Sequence, residues 1–150
     1  MTQISVWGPI TWFFFHTLAE KVRESEYNNV KHNILNVLQQ FCKFLPCEDC
    51  AGHATQIMNT VTIDKINTKE QLKFFLFNFH NSVTVRTKKT PFDKSILDKY
   101  KTANLQAITT KLFQVFHTHD KKYMMNEFSR NMMLKNIKQC LTEIFKCCDP

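Results

Sequence analysis

The sequence predicts an all-α protein, and three observations carry that reading. Apolar residues recur at three- and four-residue steps along nearly the whole chain, the period of one helix face. Only two glycines occur in 150 residues, too few for the tight turns of a sheet-rich fold or for a glycine-rich phosphate loop. Pro46 and Pro91 stand between periodic stretches, where a helix has to stop.

Taken in order, Trp12, Phe15, His16, Ala19 and Val22 form the apolar face of a first helix. A polar break at Tyr27-Asn28-Asn29 follows, then a second helix on Ile34, Val37, Leu38, Phe41, Cys42 and Leu45. Pro46 ends that helix and suits the first turn of a third, running from Cys47 to about Asn59. After a loop around Thr60 to Thr68, Asn67 or Thr68 is placed to cap a fourth helix carrying Leu72, Phe75, Leu76, Phe79 and Val83. Four amphipathic helices of this length predict a four-helix bundle.

Pro91 closes the bundle, and a short fifth helix is expected at about Asp93 to Tyr100. Two further periodic stretches follow: Leu105, Ile108, Leu112 and Phe116, then Phe128, Met132, Ile137, Leu141 and Ile144. Residues 1–102 therefore read as a core domain and 103–150 as a helical extension that packs on the bundle or on a partner.

A net charge of +7 raises the question of nucleic acid. The cations are scattered, with runs only at Lys88-Lys89 and Lys121-Lys122, so no dedicated nucleic-acid surface is expected. The apolar stretch from Trp12 to Leu18 contains His16 and is far too short to span a bilayer. No basic region followed by an apolar core marks a secretory signal, so a reducing compartment is expected. There, six cysteines point to redox chemistry or metal rather than to static bridges.

The strongest motif is Cys47-Glu48-Asp49-Cys50. At a helix start this spacing brings two sulfurs within bonding reach, and the helix N-terminus favours a thiolate by lowering a cysteine pKa. The alternative is half a zinc site with His53 as a third ligand, although no second close-spaced pair stands nearby. Trp12 and His16 lie one turn apart beside Gly8, which suits either an aromatic core stripe or a cofactor wall. His80 and Asn81, followed by Arg86, Lys88 and Lys89, suit either an adenine with its pyrophosphate or an ordinary basic helix end.

Together these segments resemble the Erv/ALR family of FAD-linked sulfhydryl oxidases. The opening is Trp7, Gly8, Trp12 and His16, the redox helix Pro46, Cys47, Cys50 and His53, and the third segment His80, Asn81, Val83 and Lys89. The resemblance implies a four-helix bundle holding FAD non-covalently, usually as a homodimer, with no metal. It implies that Cys50 lies against the flavin and that Cys47 exchanges with incoming dithiols, among them thioredoxin-like proteins. It further implies that Gly8, Trp12, His16 and His53 line the flavin, that His80, Asn81 and Val83 meet the adenine side, and that Lys89 lies near ribose or phosphates. Electrons would leave to dioxygen as hydrogen peroxide.

The chain departs from the family's pattern in places. Thr84 stands where a second asparagine is usual, Val22 replaces a tyrosine, and Phe77 and about Lys94 occupy the positions of a stapling disulfide. No late tryptophan faces the adenine, though Tyr100 is close by. Loss of the staple resembles the compact viral members, and a composition rich in lysine, asparagine and phenylalanine fits an AT-rich viral genome; host cytoplasm or virion follows as the expected location. Cys42, on the apolar face of its helix, reads as an inert buried thiol. Cys140, Cys147 and Cys148 leave three readings open: a relay to the first pair, an inter-chain bridge, or free thiols. On one continuous helix residues 140 and 147 would stand roughly 10 Å apart, so a bond between them needs the helix to end first.

Overall fold

A run of aromatic and aliphatic side chains without a breaker between Thr11 and Ala19 starts the architecture. In the computed structural model, which describes residues 4–61, 63–118 and 127–150, this run forms the centre of α1 (Ile4–Lys21). It is followed by α2 (Tyr27–Lys43), α3 (Glu48–Asn59), α4 (Lys69–Arg86), α5 (Leu105–Thr118) and α6 (Glu127–Phe145). Short 3₁₀ turns stand at Glu24–Glu26 and Ile63–Lys65, and no strand is formed among the described residues.

Several boundaries differ from the sequence reading for identifiable reasons. Tyr27 opens α2 rather than breaking the chain: its ring is buried and its hydroxyl donates to the Ile66 carbonyl at 3.0 Å. The break lies earlier, at Val22 to Glu26. Thr68, not Asn67, caps α4 by accepting the Gln71 N–H at 3.1 Å. The short fifth helix is a 3₁₀ helix, Lys94–Thr102, capped by the Asp93 carboxylate on the Ser95 N–H. Gly8 lies in the first turns of α1.

The core is one continuous cluster. Phe14, Leu18, Ile34, Leu38, Phe41, Leu72 and Leu76 are fully buried at its centre, with Phe116, Ile137 and Ile144 from the last two helices. Helix α1 packs on α4 and α2 on α3, while α5 lies along α1 and α6 along α2. The extension thus closes over the bundle. Its periodicity was legible only in part: Met133, Leu134, Ile137, Leu141 and Ile144 are buried, whereas Phe128 and Met132 face outward, Phe128 at 74% exposure. Among the described residues no helix is long and apolar enough to cross a membrane.

Candidate active site around the Cys47-Cys50 pair

Pro46 stops the backbone of α2, and the next residue starts α3 in extended geometry, so Cys47 becomes the N-cap. Its Sγ accepts the Cys50 N–H at 3.3 Å, which satisfies one of the unpaired donors of the first turn. All six cysteines are free thiols. Cys50, one turn on, lines an apolar cavity enclosed by α1, α3 and the end of α4, while Cys47 stands outside that lining. Gly8, Trp12 and Phe15 supply one wall, His53 and Ala54 another, and Phe79, Val83 and Arg86 a third.

The expectation of a thiolate at the helix start does not hold for Cys50. Burial pushes the Cys50 thiol up to about 12, and the adjacent Cys47 sulfur adds to the shift. The Arg86 guanidinium opposes it. Burial also lowers His53, with Arg86 contributing in the same direction. Arg86 is therefore the cation of the Cys50 end of the site, although the sequence placed it with the lysines near a pyrophosphate. The Cys42 thiol, 1% exposed, is likewise raised to about 12 by burial, in agreement with an inert role.

Beside the cavity, α1 and α4 join through an aromatic stack. Trp12 and His80 are nearly parallel with ring centroids 4.3 Å apart, and Phe79 meets Trp12 edge-on. His16 Nε2 lies 3.0 Å from His80 Nδ1, and the ring of Tyr100 stacks on His16 at 4.9 Å. Tyr100 thus joins the constellation from the 3₁₀ helix. Burial holds His16 near about 3 and His80 near about 4, so both rings are neutral.

The remaining candidates of α4 are used locally. The Asn81 amide donates to the Phe92 carbonyl at 3.0 Å and its oxygen accepts the Phe92 N–H at 2.8 Å, pinning the chain after the helix. Thr84 donates to the His80 carbonyl at 2.9 Å. Lys89 is exposed beyond the helix end. Phe77 is half-buried, and Lys94 lies over the Phe74 ring at 5.4 Å. Cys140 accepts from Asn36 at 3.4 Å, and Cys147 lies 3.6 Å from the Glu26 carboxylate. Since α6 ends at Phe145, Cys140 and Cys147 are not on one helix, and their partners, Asn36 in α2 and Glu26 just before it, stand roughly 15 Å apart along the axis of α2.

The cavity suits a flat aromatic group with a polar edge. Its walls are largely aromatic and aliphatic, Trp7 Nε1 is buried without a hydrogen-bond partner at its rim, and Arg86 offers a charge for an anionic portion. These features fit a flavin. Among the described residues no group of three or more His, Cys, Asp or Glu side chains converges as a metal site.

The chain is similar in sequence to several sulfhydryl oxidases. Protein 096R of Invertebrate iridescent virus 3 is 28% identical over 98 residues, covering 64% of this chain and 66% of the viral protein. An FAD-linked sulfhydryl oxidase of African swine fever virus is 29% identical over 85 residues, 55% of this chain and 69% of that protein. The Arabidopsis thaliana FAD-linked sulfhydryl oxidase ERV1 is 28% identical over 76 residues, 51% of this chain but 39% of its own length. No solved structure matches the chain. The Erv1 / Alr family model matches residues 9–104, the stretch that contains the Cys47-Cys50 pair, the aromatic stack and most of the cavity lining, and the chain belongs to that family.

Proposed function

We propose that this chain is an FAD-dependent sulfhydryl oxidase that makes disulfides in protein dithiols and passes the electrons to dioxygen. The observation that carries the reading is the position of Cys50: it is the inner member of a Cys-x-x-Cys pair and lines the same cavity as Gly8, Trp12, His53 and Val83. The names of the relatives point the same way.

In the oxidised pair, a substrate thiolate attacks Cys47 Sγ, forming a mixed disulfide and releasing Cys50 as the leaving thiolate. A second substrate thiolate attacks the substrate sulfur of that bond, leaving Cys47 as thiolate and the substrate as disulfide. Two electrons have then moved from the substrate dithiol to the pair, while the two protons shed by the substrate thiols go to solvent. Cys47 takes the attack because Cys50 faces the cavity and Cys47 does not; Arg86 eases departure of Cys50 by opposing the burial that raises its thiol. When bound, FAD supplies a two-electron acceptor beside Cys50 and delivers the pair to dioxygen as hydrogen peroxide. Trp12, Phe15 and Phe79 would hold and screen the ring system, Trp7 Nε1 would donate to its polar edge, and Arg86 would offset negative charge.

The substrates proposed are proteins with a surface dithiol, thioredoxin-like ones among them, received at Cys47, the N-cap of α3 with the acidic Glu48 and Asp49 beside it. Viral relatives support a viral protein acting in host cytoplasm or virion. The experiment is a visible spectrum of the purified protein before and after a dithiol. A flavin band that bleaches and returns in air is expected; a colourless protein that does not take up FAD overturns the reading.

A further inference from the structure

The family match ends at Asn104, and α5 and α6 lie beyond it. These two helices nevertheless make the most extensive interhelical packing in the chain, α5 on α1 and α6 on α2, ahead of the packing within α1–α4. The sequence of α2 explains why. Cys42 points into the cavity, while Phe41, about 100° round the helix, meets Phe116 edge-on at 5.2 Å and lies 6.3 Å from Phe113. Helix α2 is apolar over an arc too wide for one bundle interior.

Without α5 and α6, Phe41 would lose the Phe113 and Phe116 rings that cover it, and the apolar α1/α2 face would stand open to water. Such a face is closed either by a second copy, which brings an identical helix pair across a two-fold axis, or by helices of the same chain. We propose that α5 and α6 take the place of a second copy on the α1/α2 face, so that this chain is a self-sufficient monomer.

Two observations support the assignment. The cover is tied down at its far end: the Arg23 N–H donates to the Cys147 carbonyl at 2.8 Å, its guanidinium donates to the carbonyls of Lys146 and Cys148, and the Asp149 N–H donates to the Lys21 carbonyl at 2.7 Å. The outward sides of the cover are polar. Gln106, Thr110 and Lys111 of α5 are exposed, as are Lys135, Lys138 and Glu143 of α6, so the stack of apolar layers ends there. Phe128 and Met132 at the start of α6 are the exception.

The inference does not rest on the activity, and its test reads mass rather than turnover. Light scattering coupled to gel filtration, run on the full chain in reducing buffer over a hundredfold concentration range (about 1 to 100 μM), is expected to give the mass of one chain, 17.8 kDa, throughout. A mass of two chains at any point overturns it, whichever face the copies use. Amide hydrogen exchange supplies the second reading. Protection in α5 and α6 as strong as in α1 and α2 is expected, and rapid exchange confined to α5 and α6 shows a loose appendage and also overturns it.

Discussion

His16 Nε2 and His80 Nδ1 stand 3.0 Å apart, joining α1 to α4 at the aromatic stack beside the cavity. One ring must donate and the other accept, so the contact exists only while at least one is neutral. Burial depresses His16 to about 3, with His80 and Lys99 adding to the shift, and depresses His80 to about 4, with Lys99 adding.

The consequence is a stability that falls on mild acidification. In the unfolded chain both rings protonate near 6.5, while in the folded chain they do not until about 3 and 4. Between those limits the unfolded state holds more protons, so stability rises with pH through the window and is complete above it. The slope is up to ~1.4 kcal/mol per pH unit for the buried His16 and less for the half-buried His80. Urea unfolding at pH 5 and pH 7 checks it. His16→Phe should flatten the profile; an unchanged slope in that variant contradicts the assignment.

The two site cysteines should differ in reactivity. Cys50 is raised to about 12 by burial and by Cys47, whereas Cys47 is the outer N-cap sulfur. Iodoacetamide at neutral pH is expected to modify Cys47 at least about tenfold faster in the reduced protein, since alkylation follows thiolate and access. Arg86→Gln removes the cation that opposes the Cys50 shift and should slow Cys50 alkylation further in a Cys47→Ser background. Peptide mapping of the modified protein reads both. Equal labelling of the two sulfurs would sink the inner-and-outer assignment.

Much of this site was legible before any coordinates. The Pro46 stop and the Cys-x-x-Cys spacing place the pair at a helix start because a proline ends one helix and admits the next. The spacing of Trp12 and His16 places both rings on one side of α1, and the period of α4 puts Phe79 and Val83 on the cavity. Arg86 was misplaced because its reach toward Cys50 is set by how α4 crosses α3, a tertiary fact. Tyr100 was found only as a neighbour of a missing tryptophan, since a 3₁₀ helix has no strong apolar period. Phe128 and Met132 mimic a helix face but sit one residue out of phase with Met133, Ile137 and Leu141.

Packing of the cover on the bundle should be worth measuring at one contact. Phe41 and Phe116 are both fully buried with rings 5.2 Å apart, edge to face. Phe116→Ala removes a core aromatic and is expected to cost about 3–5 kcal/mol. In a double-mutant cycle with Phe41→Ala, a coupling of about 0.5–1.5 kcal/mol is expected for the ring pair. Additive losses would mean that the extension contributes area without a specific contact.

The end of α4 carries a strained residue. Lys88 adopts φ 63°, while the Lys89 N–H reaches back to the Thr84 carbonyl at 2.9 Å and closes the helix. A left-handed residue just past a helix favours glycine, which has no Cβ to clash. Lys88→Gly is therefore expected to stabilise the fold by about 0.5–1 kcal/mol, offset in part by the greater freedom of glycine in the unfolded chain. Thermal melting decides it, and a lowered midpoint would show that the lysine side chain earns its place by another contact.

Cys147 and Cys148 are held at the opposite end of α2 from Cys47. Cys147 lies against Glu26 just before the first turn of α2, Cys148 bridges Val22, and Cys47 follows the last turn, so the helix sets them roughly 25 Å apart. Burial raises the Cys148 thiol to about 12, and the Cys147 thiol is also raised, by burial and then by Glu26. A relay to the Cys47-Cys50 pair would require the last turn of α6 and its bonds to Arg23 and Lys21 to detach. Cys147→Ser with Cys148→Ser should thus leave oxygen consumption with a small dithiol within about twofold of the parent. A loss of about tenfold or more with a protein dithiol alone, the small dithiol being unaffected, would instead establish that the C-terminal cysteines receive the substrate's electrons first.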